Sequence, residues 1–422
     1  MHTLAEPTCP LAERVSQLTE RLRALWWDCP TDAFPDSIVP DPAACGLREA
    51  ALERLVAQAI SATTARVTNA EEQLALQQHS MAAFTAFAHE ALGFEAQQLA
   101  MLERGFMPAL AAFATAARRF DPTLSGADIF QAGRNVSILN SLQLMLGLPV
   151  ALTPSVTAYS LLYPYTDNYL DDPGIPLASK AAFNSRLRRR LQGEAVQPTN
   201  AHEQTVWALV AMIEGQYPRD AYPAVYASLL AIQRAQERSV ALLREPVSPY
   251  EVDVLGITLE KGGASVLADG YLVAGTLSPA QEELLFGWGA FLQLADDLQD
   301  VSSDAHAGLA TVFAQTARRL PLDPLSVRSA HLNERVLAGA AGIVVSAALP
   351  LVEMMQRSGQ LLLLDAVGRA RALHSASFAR EAERRFPFRY PAIARARRRI
   401  ARQRVSFMRL IERFSAVDTV PA

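Results

Sequence analysis

The chain has 422 residues, enough for two or three domains or for one large helical domain with a sizeable core. Half of the residues are apolar and 19% are charged, and 43 acidic against 39 basic side chains leave a net charge of -4. The apolar content argues against disorder, and the charge balance against a nucleic-acid-binding protein held by a general basic field. Lys180 and Lys261 are the only lysines; every other basic side chain is arginine.

Residues 1–70 read as a less regular N-terminal extension packing on the body, with Trp26-Trp27 and the proline-bearing run 30–42 as packing features. The first fifteen residues lack a basic region followed by an apolar run, so no signal peptide is expected. Cys9, Cys29 and Cys45 have neither CxxC spacing nor histidine partners, which argues against a disulfide framework or zinc site and for a reducing cytoplasm.

Residues 71–422 form one expected all-α domain. Apolar residues recur at helical spacing, as in Val225, Leu229, Ile232, Val240 and Leu243, and no convincing β-branched alternation interrupts them. Thr153-Pro154, Ser248-Pro249-Tyr250-Glu251 and Ser278-Pro279-Ala280-Gln281 each read as a capped helix start. Breaks fall at Pro173-Gly174, 193–198, 219–223, 246–249, 320–324 and 386–391. The uncharged stretch from Val336 to Val352 reads as a buried core helix, too marginal for a membrane span. The arginine-rich run from Arg395 to Arg409 reads as an exposed basic helix face.

Two acidic clusters stand out. In Tyr163-Pro164-Tyr165-Thr166-Asp167-Asn168-Tyr169-Leu170-Asp171-Asp172, Asp167 and Asp171 leave one helix face a turn apart. In Phe291-Leu-Gln293-Leu-Ala-Asp296-Asp297-Leu-Gln-Asp300, followed by Asp304, three acids share a stripe. Both clusters end helices, where the backbone dipole is already negative and like charges repel, so a bound cation would remove the conflict. Magnesium suits such sites because it takes oxygen ligands and is often shared between carboxylates and phosphates. The bland alternative, two solvated helix ends, loses ground because the pattern occurs twice.

These residues resemble the class I isoprenoid synthase superfamily. Gln293-x-x-Asp296-Asp297-x-x-Asp300 is similar to the second aspartate-rich motif of trans-prenyl diphosphate synthases. Asp167-x-x-x-Asp171-Asp172, with Lys180 trailing it, is similar to the first motif of squalene and phytoene synthases. The resemblance covers roughly residues 130–310 and implies a single large helical bundle with a central cavity. It further implies three Mg2+ ions binding the diphosphate of a prenyl diphosphate substrate, with Asp167 and Asp171 on two ions and Asp296 and Asp300 on the third. Asp172, Asp297 and Asp304 take bridging or outer positions.

The Glu260-Lys261-Gly262-Gly263 segment resembles the superfamily's kinked helix with a diphosphate-touching base; close helix packing with a surface lysine is the alternative. Arg134, Lys180 and Arg186 are further candidate diphosphate ligands, and Arg389-Tyr390, also counted among them, loosely resembles an Arg-Tyr pair of bacterial terpene cyclases. Tyr159, Tyr163, Tyr169, Trp288 and Phe291 are candidate walls for a carbocation pocket, with simple core as the alternative.

The expectation is a Mg2+-dependent terpene synthase that ionises a linear prenyl diphosphate and cyclises the cation, cytoplasmic, with a homodimer in keeping with the superfamily. A prenyltransferase, either chain-elongating or squalene/phytoene synthase-like, stays open because the second motif is Asp-rich rather than of the Asn/Ser/Glu form of ordinary terpene cyclases, while a first motif that is not DDxxD and the lack of an isopentenyl diphosphate-binding pattern weaken chain elongation. A non-catalytic helical interaction protein is the reading from another class.

Overall fold

The computed structural model describes residues 10–36, 40–66, 68–172, 174–243 and 251–403, excepting the side chains of Ala70, Tyr163 and Asp171. Among these residues the chain is helical throughout, without a strand. In chain order the helices are α1 (Leu11–Asp28), α2 (Cys45–Thr64), α3 (Ala70–Leu92), α4 (Ala96–Met101), α5 (Met107–Phe120) and α6 (Gly126–Met145). Then come α7 (Pro154–Asp171), α8 (Leu177–Leu191), α9 (Ala201–Gln216), α10 (Pro223–Ser239), α11 (Val254–Ala274) and α12 (Pro279–Gln299). The chain continues through α13 (Val301–Ala307), α14 (Val312–Ala317), α15 (Asp323–Ala338), α16 (Leu349–Arg369), α17 (Ala376–Arg385) and α18 (Tyr390–Ala401).

The helix starts follow their chemistry. Thr153 caps α7 by accepting from Val156 N, and Pro154 takes the first helical position, where its missing N–H costs nothing. Ser278 and Gln281 bond each other's backbone N–H in a capping box that opens α12. The Ser248-Pro249 start lies outside the described residues, and Asp253 caps α11 instead, accepting from Gly256 N at 3.0 Å.

Helix α11 is the hub. It is buried along nearly its whole length and packs on α12, α10, α1, α6 and α7. Its contact with α12 is backbone to backbone: a Cβ built on Gly262 would lie 2.4 Å from the Gly289 carbonyl oxygen, and one on Gly289 would lie 2.2 Å from that of Gly262. A ring of Phe286 occupies the space a Cβ on Gly263 would need. The helix runs unbroken through the glycine pair, so these residues set an interaxial distance.

Two expectations are corrected. The N-terminal region is not irregular: α1 and α2 are 18 and 20 residues long. Helix α1 packs on the hub, with Trp26 fully buried while Trp27 lies exposed under the Arg328 guanidinium. Nor is Val336 to Val352 one helix. It holds the end of α15, two short 3-10 turns at Gly339–Gly342 and Ser346–Ala348, and the start of α16. Two glycines in four residues favour the turn over continued helix. Among the described residues no helix is long and apolar enough to cross a membrane.

Candidate active site

Pairwise contacts fix the direction of the helices around α11. The Ser155 hydroxyl at the start of α7 donates to the Leu272 carbonyl near the end of α11 at 2.8 Å, and a turn later Tyr159 packs against the small cluster of Ile232, Ala235, Ala264 and Ala268 between α10 and α11. Helix α7 therefore runs antiparallel to α11, and Asp167 arrives level with its first half. Helix α12 is antiparallel as well: Leu285 lies against Gly270, Gly289 against Gly262, and the Thr258 hydroxyl donates to Asp297 at 3.5 Å. The C-terminal ends of both acid-rich helices thus converge on the N-terminal half of α11, where Lys261 sits. Negative helix ends beside a positive one are a favourable dipole arrangement.

Within the second cluster the carboxylates crowd one another. Asp297 is buried, with its Oδ1 accepting from Gln293 Nε2 at 2.8 Å, and burial pushes its pKa up to about 7 against the pull of that bond and of Lys261. Asp304 is pushed up to about 6 by burial and by the charges of Asp300 and Asp296. Asp296 keeps solvent access at the rim, yet surrounding protein atoms and the Asp300 charge raise its pKa, while Arg134 and Lys261 oppose the rise. The expected single stripe is broken at Asp300, which caps α12 and begins α13, so Asp304 reaches the cluster from the next helix.

A pH dependence follows. Between about pH 4, where free carboxyls titrate, and pH 7, the folded chain keeps protons on Asp297 and Asp304 that the unfolded chain has released. Stability therefore falls as pH rises through that window, with Asp297 contributing at most about 4 kcal/mol at about 1.4 kcal/mol per pH unit. Metal-free protein should melt at a higher temperature at pH 5 than at pH 8, and Asp297→Asn should remove most of the difference. Equal sensitivity in the variant would show that other groups carry the effect.

In the first cluster Asp167 is half-buried and accepts from Gln236 Nε2 of α10 at 3.1 Å. Asp172 is exposed, its Oδ1 closing a turn on Gly174 N at 2.7 Å. The side chains of Asp171 and Tyr163 lie outside those described. Among the described residues no three His, Cys, Asp or Glu side chains lie close enough together to hold a metal ion.

Several expected contacts go elsewhere. Arg186 makes a two-pronged pair with the buried Glu203 at 2.8 and 3.0 Å, joining α8 to α9 rather than serving a phosphate. Arg389 forks onto Glu49 of α2, and the buried Tyr390 hydroxyl donates to the Leu364 carbonyl at 2.9 Å, so this pair anchors α18. Tyr169 stacks on His202 with centroids 4.3 Å apart and lies 4.9 Å from Phe183, filling the junction of α7, α8 and α9. Phe291 is buried against Gly359 of α16, and Trp288 is core. Lys180 is half-buried in the first turn of α8; of the two lysines, Lys261 is the one whose charge acts on Asp296, Asp297 and Asp304.

Sequence reading passed over four polar partners. Gln236 binds Asp167, Asp128 of α6 accepts from Asn168 at 3.4 Å, Thr258 reaches Asp297, and Asn135 meets the fully buried Asp269. An aspartate eight residues beyond Lys261 in an apolar helix was the one available signal. Two surface grooves lie away from the cluster, one of about 250 Å³ between α2 and α3 and one of about 650 Å³ between α1, α12 and α15. No protein-family model, curated protein or solved structure matches the chain.

Proposed function

We propose that the protein is a Mg2+-dependent class I terpene synthase, ionising a linear prenyl diphosphate and cyclising the allylic cation with release of diphosphate. The observation that carries this reading is the convergence of the two acid-rich helix ends on the first half of α11, beside Lys261 and Arg134. Asp296, Asp300 and Asp304 repel one another as carboxylates, and a hard divalent cation drawing them together would reverse that repulsion. Asp167 and Asp171 from α7, with Asp296 and Asp300 from α12, would hold the metal. Mg2+ in such a site stabilises charge developing on a departing diphosphate.

The chain's own residues supply the rest. Lys261 and Arg134 place positive charge beside Asp296, where the leaving group's charge would need it. Gln293 and Thr258 hold Asp297 in a fixed orientation. Tyr159, half-buried against the cluster of Ile232, Ala235, Ala264 and Ala268, would offer an aromatic face suited to a cation that must be kept from water. A reducing cytoplasm suits the free thiols of Cys29 and Cys45.

Product analysis by mass spectrometry across prenyl diphosphates of several lengths, with and without magnesium, tests the reading. Hydrocarbon or alcohol of unchanged carbon count, formed only with metal, is the expected result. A doubled skeleton or a requirement for isopentenyl diphosphate would replace it with coupling or chain elongation. Absence of diphosphate release from every substrate would favour a non-catalytic helical protein.

A further inference from the structure

Helical periodicity puts Lys261, Ser265 and Asp269 on one side of α11, with eight residues spanning about 12 Å from the first to the last. Ser265 is only half-buried although Gly262, Gly263, Ala264, Val266, Leu267 and Ala268 around it are buried. The same partial exposure is found at Asn135 and Ile138 on α6, Tyr159 on α7, and Leu292 and Gln293 on α12, helices that pack on α11. Partial exposure thus reaches Ser265, one turn beyond Lys261, and Asp269, a further turn along, has no exposure at all.

The Asp269 carboxyl is only half satisfied. Asn135 Nδ2 donates to Oδ1 at 3.3 Å, while Oδ2 has no hydrogen-bond partner among the described residues. Complete burial raises its pKa well above the ordinary carboxylate value, the Asn135 bond opposing the shift. In the neutral acid the oxygen that accepts from Asn135 is the carbonyl one, so the proton lies on Oδ2 and makes it a donor. A buried donor needs an acceptor, and an unbroken hydrocarbon chain offers none.

Resting on the prenyl diphosphate reading above, we propose that a cleft runs from the acidic rim along this side of α11 and that Asp269 and Asn135 form a site for a neutral oxygen at its inner end. The oxygen is either a hydroxyl carried by the prenyl chain at its end remote from the diphosphate, or a water taken in with the chain. With a chain-borne hydroxyl the pocket selects an oxygen-bearing ligand end over a plain one; with water it takes both.

The test uses the full chain with prenyl thiolodiphosphates, which resist ionisation, made with and without a terminal hydroxyl. Infrared difference spectra of wild type against Asp269→Asn, a near-isosteric change, should show a carboxylic acid C=O band that the variant lacks; no such band overturns the proposal. With a chain-borne oxygen, the hydroxylated analogue shifts that band and binds at least tenfold more tightly. Asp269→Leu then abolishes the preference while Asp269→Asn, whose amide still donates, keeps it. With water as the source, both analogues bind equally and both shift the band; equal binding with no shift overturns the proposal. If neither analogue binds, the diphosphate reading fails at the rim, and a prenyl alcohol without diphosphate decides the inner site: a band shift upholds it and none overturns it. Melting curves of both variants confirm that each is folded under assay conditions.

Discussion

On the proposed function, Asp296→Ala is expected to lower magnesium-dependent diphosphate release by roughly 10²- to 10³-fold, the usual cost of removing one preorganised electrostatic contact in an active site. Asp296 lies at the rim among Asp300, Asp304, Arg134 and Lys261, so its carboxylate has no packing role to lose. Its removal also relieves repulsion, because the Asp296 charge contributes to the raised pKa of both Asp297 and Asp304. Metal-free Asp296→Ala should therefore melt at or above the wild-type temperature at pH 8, and added magnesium should stabilise it less than it stabilises wild type. The combination of lost turnover with retained stability separates a ligand from a structural acid. A variant that both turns over normally and responds normally to magnesium would remove Asp296 from the site, and with it the argument from converging helix ends.

Gly289→Ala carries the largest stability effect. The new methyl would meet the Gly262 carbonyl at 2.2 Å and the Val266 side chain at 2.8 Å, so the two most closely packed helices must part. A backbone oxygen cannot swing aside as a flexible side chain can, and overpacking at such a contact should cost about 3 kcal/mol or more. Urea unfolding measures it, and Gly262→Ala should behave alike because the contact is reciprocal. Gly46→Ala is the control. Nothing lies within 4 Å of its built Cβ near the start of α2, so the change should be neutral or stabilise by up to about 1 kcal/mol. Loss of stability at Gly46 as large as at Gly289 would mean that the α11–α12 contact does not set the cost.

Legibility differed from element to element. The caps at Thr153 and Ser278 were readable because their signal is local: a side-chain oxygen accepts an orphan N–H, a proline takes the first helical position, and at Ser278 the Gln281 side chain returns a second bond. Helix α1 was passed over because Pro10 supplies no side-chain cap. The stretch from Val336 to Val352 misled because hydropathy counts apolar residues without registering that Gly339 and Gly342 favour a turn. Arg389-Tyr390 offered a motif of two letters, and the structure spends both on anchoring α18, a role that depends on Glu49 lying 340 residues away.

The amino-acid sequence by itself determined the all-α class, the boundaries of α7 and α12, and the placing of aspartates at their C-terminal ends, since each follows from residues within a few turns of one another. Only the tertiary structure decided that both ends meet at one half of α11, that the glycine pair sets a helix contact, and that Asp269 is sealed against Asn135 with one oxygen unmatched. Those facts depend on which helices are neighbours and in which direction they run. Packing across helices far apart in the chain sets that order, and no local spacing encodes it.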